Sequence, residues 1–94
     1  MTHIHIAATR GRTIDDFRAV TAKHNPLQDI DGLLALAAGS DSGGLHVVTV
    51  WQSKAHKDRF EAEQLFPAFQ ALGMTDVASD TEMTEYDADE FYVR

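Results

Sequence analysis

No cysteine occurs among the 94 residues, which excludes disulfides, thiolate zinc sites and a cysteine nucleophile. Basic residues are also scarce, with 8 Lys and Arg against 15 Asp and Glu and a formal net charge of −7. Many of the acids gather near the C-terminus, at Asp80, Glu82, Glu85, Asp87, Asp89 and Glu90. A field of that sign opposes phosphate backbones and anionic lipid, so neither a nucleic-acid partner nor a membrane partner is expected. No apolar run approaches a membrane span, and no basic flank leads into one at the start of the chain. The expected location is cytoplasmic. G-x-S-x-G, P-loop, dinucleotide-binding and H-E-x-x-H patterns are all missing. The "GSDSGG" stretch reads as a hairpin turn, with no helix start behind it to hold phosphate. The chemistry is therefore read with no cofactor and no metal.

What is present is 44% hydrophobic and 24% charged, the balance of a globular chain. At this length residues 1–94 form a single domain with one modest core, and self-association would add burial. "HIHIAA" predicts the first strand. Thr13 is a good N-cap for a helix over "IDDFRAVTAKHN", with Asp15 and Asp16 in its first turn and Ile14, Phe17, Val20 and Thr21 at helical spacing. Pro26 ends that helix, because the residue before a proline disfavours the α region. "GLLALAAG" and "LHVVTVWQ" predict two strands joined by a Gly-Ser-Asp turn as an antiparallel hairpin. Ser53 then caps a long helix over "KAHKDRFEAEQLFPAFQALGM", which Pro67 must kink or interrupt after Leu65–Phe66 and Gly73 closes. "TEMTEYDADEFYVR" supplies the fourth strand, with "EFYV" as a separate terminal segment.

The order β-α-β-β-α-β is the split-βαβ, ferredoxin-like pattern of an α+β fold, an antiparallel four-stranded sheet with two helices on one face. In the third strand Leu45, Val47, Thr49 and Trp51 share one face, and His46, Val48 and Val50 share the other. The second strand is also apolar on both faces. Two helices cover only one side of a sheet, so the other side calls for a second copy of the chain, and a homodimer is expected.

The stretch "VVTVWQSKAHKDRFEAEQLFPAFQALG", preceded by "GLLALAAG", resembles the antibiotic biosynthesis monooxygenase family. The shared features are a strand ending in Val-x-Val-Trp, an amide, a Ser, and a helix carrying Phe and a mid-helix Leu-x-Pro. The resemblance implies a dimeric α/β barrel built from ferredoxin-like subunits. It also implies kinship in fold with cofactor-free monooxygenases that oxidise polyketide phenols to quinones, with haem-degrading enzymes, with isomerases and cyclases, and with proteins of no known reaction. Trp51 matches the strand-end tryptophan that lines the pocket in several members. Two positions depart from the family's patterns. The quinone-forming type would have Asn where this chain has Val47, and the haem-degrading type would have an axial His about one turn past Phe60, where Glu61 and Glu63 stand.

His3 and His5 lie two apart on one strand and so share a face. Two histidines at that spacing can reach one metal, with His46 or His56 completing the set. No acid lies near them in sequence, however, and the plain alternative is a strand whose polar side faces solvent or a dimer seam. His5 is read as a pocket residue and His3, nearer the chain end, as incidental. His46, in an otherwise apolar strand, is either a satisfied interface group or a base beside a cavity. His56 faces a pocket mouth or solvent, and His24 caps a helix end. The candidate catalytic bases are His5, His46 and His56. Trp51, Phe60, Val47, Thr49, Phe69 and Tyr86 are the candidate residues that bind a small aromatic or polyketide-like ligand, and most double as core candidates. The reaction implied is a cofactor-independent oxygenation with a histidine base. The alternatives are a cyclase, isomerase or lyase using the same pocket without O₂, and a ligand-binding dimer without catalysis.

Overall fold

The computed structural model describes residues 1–94. Strands β1 (His3–Thr9), β2 (Leu33–Asp41), β3 (Gly44–Trp51) and β4 (Thr81–Asp87) form one antiparallel sheet in the order β2-β3-β1-β4. Helix α1 (Ile14–Thr21) follows β1. After β3 come α2 (Lys54–Phe60), a π-helical segment (Glu61–Leu65) and α3 (Phe66–Ala71) without a break, and then the single turn α4 (Val77–Asp80). This is the α+β, ferredoxin-like architecture expected, with the helices on one face of the sheet. No helix is long and apolar enough to cross a membrane.

Local chemistry sets the element ends. The Asp16 carboxylate accepts from the Thr13 N–H at 2.9 Å to start α1, and Ser53 Oγ accepts from the His56 N–H to start α2. Helix α1 is shorter than "IDDFRAVTAKHN". It ends at Thr21, and the chain tightens through a Lys23 N–H to Val20 carbonyl bond. The Asn25 N–H instead donates to the Gln64 side chain at 3.0 Å, which ties the loop before Pro26 to the second helical run. Pro67 brings a π segment immediately upstream rather than a break. It has no N–H to donate, and the extra residue in the wider turn absorbs the mismatch. Gly73, at φ 71°, closes α3: its N–H donates to the Gln70 carbonyl and that of Met74 to the Phe69 carbonyl, the two bonds of a Schellman cap.

The β1–β3 and β1–β4 registers place His3, His5, Ala7 and Thr9 beside Trp51, Thr49, Val47 and Leu45 on one side and Asp87, Glu85, Met83 and Thr81 on the other. All twelve share the helix-facing side. The opposite face carries Ile4, Ile6, Val48, Val50, Ala37 and Tyr86. Tyr86 is 52% exposed and Val48 36% exposed there, and no element of the chain packs over them. β4 ends at Asp87. The Ala88 N–H still reaches the Thr2 carbonyl, but "EFYV" forms no strand.

Candidate active site between sheet and helices

The helix-facing side of the sheet and the helical layer enclose a cavity of about 130 Å³, lined mostly by hydrophobic side chains. Trp51, 2% exposed, forms one wall. Its indole N–H donates to Thr49 Oγ1 at 2.8 Å, and its ring packs against Phe60 with centroids 5.5 Å apart. Val47, Leu36 and Leu33 continue the sheet wall, while Phe17 and Val20 close it from α1. A second, roomier groove of about 510 Å³ runs under the π segment and α3 to β4, lined by Phe66, Phe69, Met74 and Met83 among others. The two spaces share five lining residues: His5, Ala7, Lys57, Glu61 and Leu65. Glu61 and Leu65 are the first and last residues of the π segment, so the added residue in that turn helps aim both at the partition.

That partition is polar in an apolar surround. Lys57 is only 5% exposed, and its Nζ lies 3.0 Å from Glu85, 3.2 Å from Glu61 and 3.2 Å from Asp58. Burial is the largest single influence on Lys57 and works against its charge. The three carboxylates together outweigh it and leave the pKa raised. Glu85 is correspondingly held below the usual carboxylate range, chiefly by its hydrogen bond from Lys57. His5 completes the group. Its Nε2 is buried without a hydrogen-bond partner, 3.8 Å from Glu85 and 4.0 Å from Glu61. Burial first, and the Lys57 charge second, push the His5 pKa down, against an opposing pull from Glu61 and Glu85. A neutral imidazole with a free ring nitrogen at a cavity wall is suited to accept a proton.

Candidate residues from the sequence fall into three groups. His5, Trp51, Phe60, Val47 and Thr49 line the inner cavity, and Phe69 lines the outer groove. His46 and Tyr86 sit on the opposite sheet face. His46 is exposed and paired with Asp41 at 3.0 Å, so neither side chain reaches the cavity. His56 stands at the start of α2 with Nδ1 2.7 Å from Ser53 Oγ and Nε2 3.8 Å from Asp31, pressed against Gly32, and lines neither space. His24 does not cap α1, because that helix stops short of it. Its Nδ1–H donates to the Asn25 carbonyl, and its ring meets the Phe60 ring edge-on beside the inner cavity. His3 is not incidental to the packing. It is 3% exposed, with Nδ1 3.0 Å from Asp87 and Nε2 3.1 Å from Glu85.

Lys57, Glu61 and Glu85 were not singled out by sequence reasoning. The signal for the acids was there: "ExD" at 85 and 87 repeats the spacing of "HxH" at 3 and 5, and antiparallel pairing of the first and last strands sets them opposite each other. No group of three or more His, Asp and Glu side chains is arranged to hold a metal ion; the Lys57 ammonium occupies the centre of the carboxylates.

No family model and no curated protein matches the sequence. Solved structures do match the fold over almost the whole chain. A candidate antibiotic biosynthesis monooxygenase from Chloroflexus aurantiacus superposes with a TM-score of 0.72 at 17% identity, covering 99% of this chain and 98% of that one. Another, from Deinococcus radiodurans, gives 0.67 at 19% identity, covering 100% and 98%. SnoaB, a cofactor-independent oxygenase from Streptomyces nogalater, gives 0.59 at 15% identity, covering 96% and 93%. The chain thus has the ferredoxin-like α+β fold of this class of proteins. Its fold matches that of structures named as antibiotic biosynthesis monooxygenases, the likeness that the Val-x-Val-Trp strand and the Leu-x-Pro helix implied.

Proposed function

We propose that the protein is a cofactor-independent oxygenase of an aromatic or polyketide-like small molecule, with His5 as general base and two copies of the chain forming the working unit. The observation that carries this reading is His5, which lines an apolar cavity and whose Nε2 is buried without a hydrogen-bond partner. A ligand hydroxyl or activated C–H placed there would give its proton to Nε2. The resulting phenolate or carbanion would react directly with O₂, one oxygen atom entering the substrate and the other leaving as water. Exclusion of water by Trp51, Phe60 and Leu36 protects such an anion from being quenched.

Size narrows the ligand. An apolar cavity of about 150 Å³ holds a benzene ring, so the inner space of about 130 Å³ suits one ring. A larger ligand would extend past the Lys57–Glu61 partition into the outer groove. The apolar sheet face bearing Ile6 and the exposed Val48 supports the dimer, since a second copy is the most economical cover for it.

The test measures O₂ uptake with hydroxynaphthalene and anthrone probes. Turnover that is lost in His5→Ala and kept in His46→Ala and His56→Ala supports the assignment. Undiminished turnover in His5→Ala rejects it. Turnover without O₂ consumption would instead point to an isomerase, cyclase or lyase at the same cavity.

A further inference from the structure

His5 accepts a proton in the reading above, and each turnover must return that proton to water. The accepting nitrogen is itself occluded, and the nearest carboxylate, Glu85, is 29% exposed. The residues around it provide a path. His5 Nε2 stands 3.8 Å from Glu85 Oε2, the other oxygen of that carboxylate stands 3.1 Å from His3 Nε2, and His3 Nδ1 stands 3.0 Å from Asp87 Oδ1. His3 is 3% exposed, whereas the Asp87 side chain is 55% exposed and opens to solvent. The chain of groups therefore runs from the cavity wall, through a buried imidazole, to the surface.

We infer that His3, Glu85 and Asp87 form a proton relay that connects cavity-facing His5 to bulk water. This assignment rests on His5 acting as the base. The steps balance without any other reactant. The imidazolium of His5 gives its Nε2 proton to Glu85, the Glu85 carboxyl gives a proton to His3 Nε2, His3 releases its Nδ1 proton to Asp87 and so to water, and a tautomer shift of His3 then restores its Nδ1–H. Only the first step needs movement, an approach of about 1 Å to bring 3.8 Å within hydrogen-bond range, which the charge on a protonated His5 favours. Of the forms of His3, only the imidazolium donates from both nitrogens, and the two carboxylates are placed to receive both donations. An ordinary structural histidine needs one partner; this one has two carboxylates at bonding distance, one on the cavity side and one on the solvent side.

Other charged groups set the background. Lys57 and Glu61 face His5 from the helical layer, Lys54 lies 4.0 Å from Glu85, and Glu85 and Asp87 come from β4. None of these but Glu85 and Asp87 connects His5 to solvent through His3.

The experiment needs no substrate. In protein labelled with ¹⁵N-histidine, the rate at which His5 gains and loses its proton is read by NMR relaxation dispersion at the midpoint of its titration. We expect His3→Gln, which keeps volume but carries no transferable proton, to slow that exchange at least tenfold. Asp87→Asn, which leaves both histidines in place, should slow it in the same direction. In His3→Gly, free imidazole filling the vacated space should restore the rate. A merely structural role for His3 would disturb the amide spectrum or displace the His5 midpoint without imidazole-dependent recovery of the rate. Unchanged exchange in folded His3→Gln or in Asp87→Asn overturns the relay. If exchange is unchanged while His5→Ala still abolishes turnover, the base assignment stands and the relay alone fails.

Discussion

Replacing Lys57 with Met removes a buried ammonium while keeping most of the volume of its stem, and so isolates the role of the charge at the partition. Its Nζ holds three carboxylate contacts of 3.0 to 3.2 Å. Removing one member of a fully buried pair costs about 3–5 kcal/mol, and an exposed pair contributes about 0–1 kcal/mol. The Lys57 side chain is 6% exposed, but those of its partners range from 16% for Glu61 through 29% for Glu85 to 48% for Asp58. Solvent screening therefore lowers the expected loss at pH 7 to about 2–3 kcal/mol. The sign with pH follows from the shifts. Glu85 is held below its ordinary value, so the stability it supplies is present above the unfolded carboxylate pKa of about 4.3 and is lost as pH falls through the lowered folded value. Lys57, raised, contributes below the unfolded lysine pKa of about 10.4 and loses that contribution as pH climbs through the folded value. The gap between wild type and Lys57→Met is thus widest near neutrality and narrows at both extremes. Urea denaturation at fixed protein concentration, at pH 7 and pH 4, measures it. The same substitution removes the second-largest influence holding His5 down and leaves Glu61 and Glu85 pulling upward, so the His5 midpoint seen by NMR should rise. A loss below about 0.5 kcal/mol at pH 7, or a His5 midpoint that stays or falls, would refute this account of the partition.

The fold was legible in the sequence because hydrophobic period and turn chemistry agree along most of the chain. Capping at Thr13 and Ser53, the hairpin at "SDSGG" and the closing glycine at 73 are local signals, and each is satisfied by neighbours a few residues away. The inner cavity was legible in part for the same reason. Alternation puts Val47, Thr49 and Trp51 on one face, and pairing with β1 adds His5 to it. The polar partition was not legible, because its members come from residues 3–5, 57–61 and 85–87 and meet only through the β1–β4 register and the π segment. Periodicity alone left the facing of β1 open. A strand alternating His with Ile invites the reading that the histidines face water, yet His3 and His5 face the helices and Ile4 and Ile6 the uncovered side. The helix side tolerates them because Glu85, Asp87 and Glu61 arrive there as well, and buried polar groups are stable only in such company. The tail acids at 85 and 87 accordingly serve as partners of buried groups, Asp87 while still 55% exposed.

Two other substitutions examine the cavity wall and the uncovered face. Thr49→Val deprives the buried Trp51 indole of its acceptor at 2.8 Å and should cost about 1–3 kcal/mol in denaturant unfolding. Thr49→Ser, which keeps the hydroxyl, should cost clearly less, and equal losses in the two would show that the bond is not what matters. Val48→Lys addresses self-association. Val48 lies on the uncovered face, paired in register with Ile6 of β1 and Ala37 of β2, and is 36% exposed in the single chain. Within one subunit a lysine there reaches solvent, so circular dichroism should be unchanged. In a dimer that packs through this face, two symmetry-related ammonium groups would be desolvated without partners, a cost of several kcal/mol that is enough to dissociate a micromolar complex by more than a hundredfold. Sedimentation should then show a wild-type dimer and a folded Val48→Lys monomer. A monomeric wild type, or a variant that stays dimeric, would mean that something other than a second copy covers these strands.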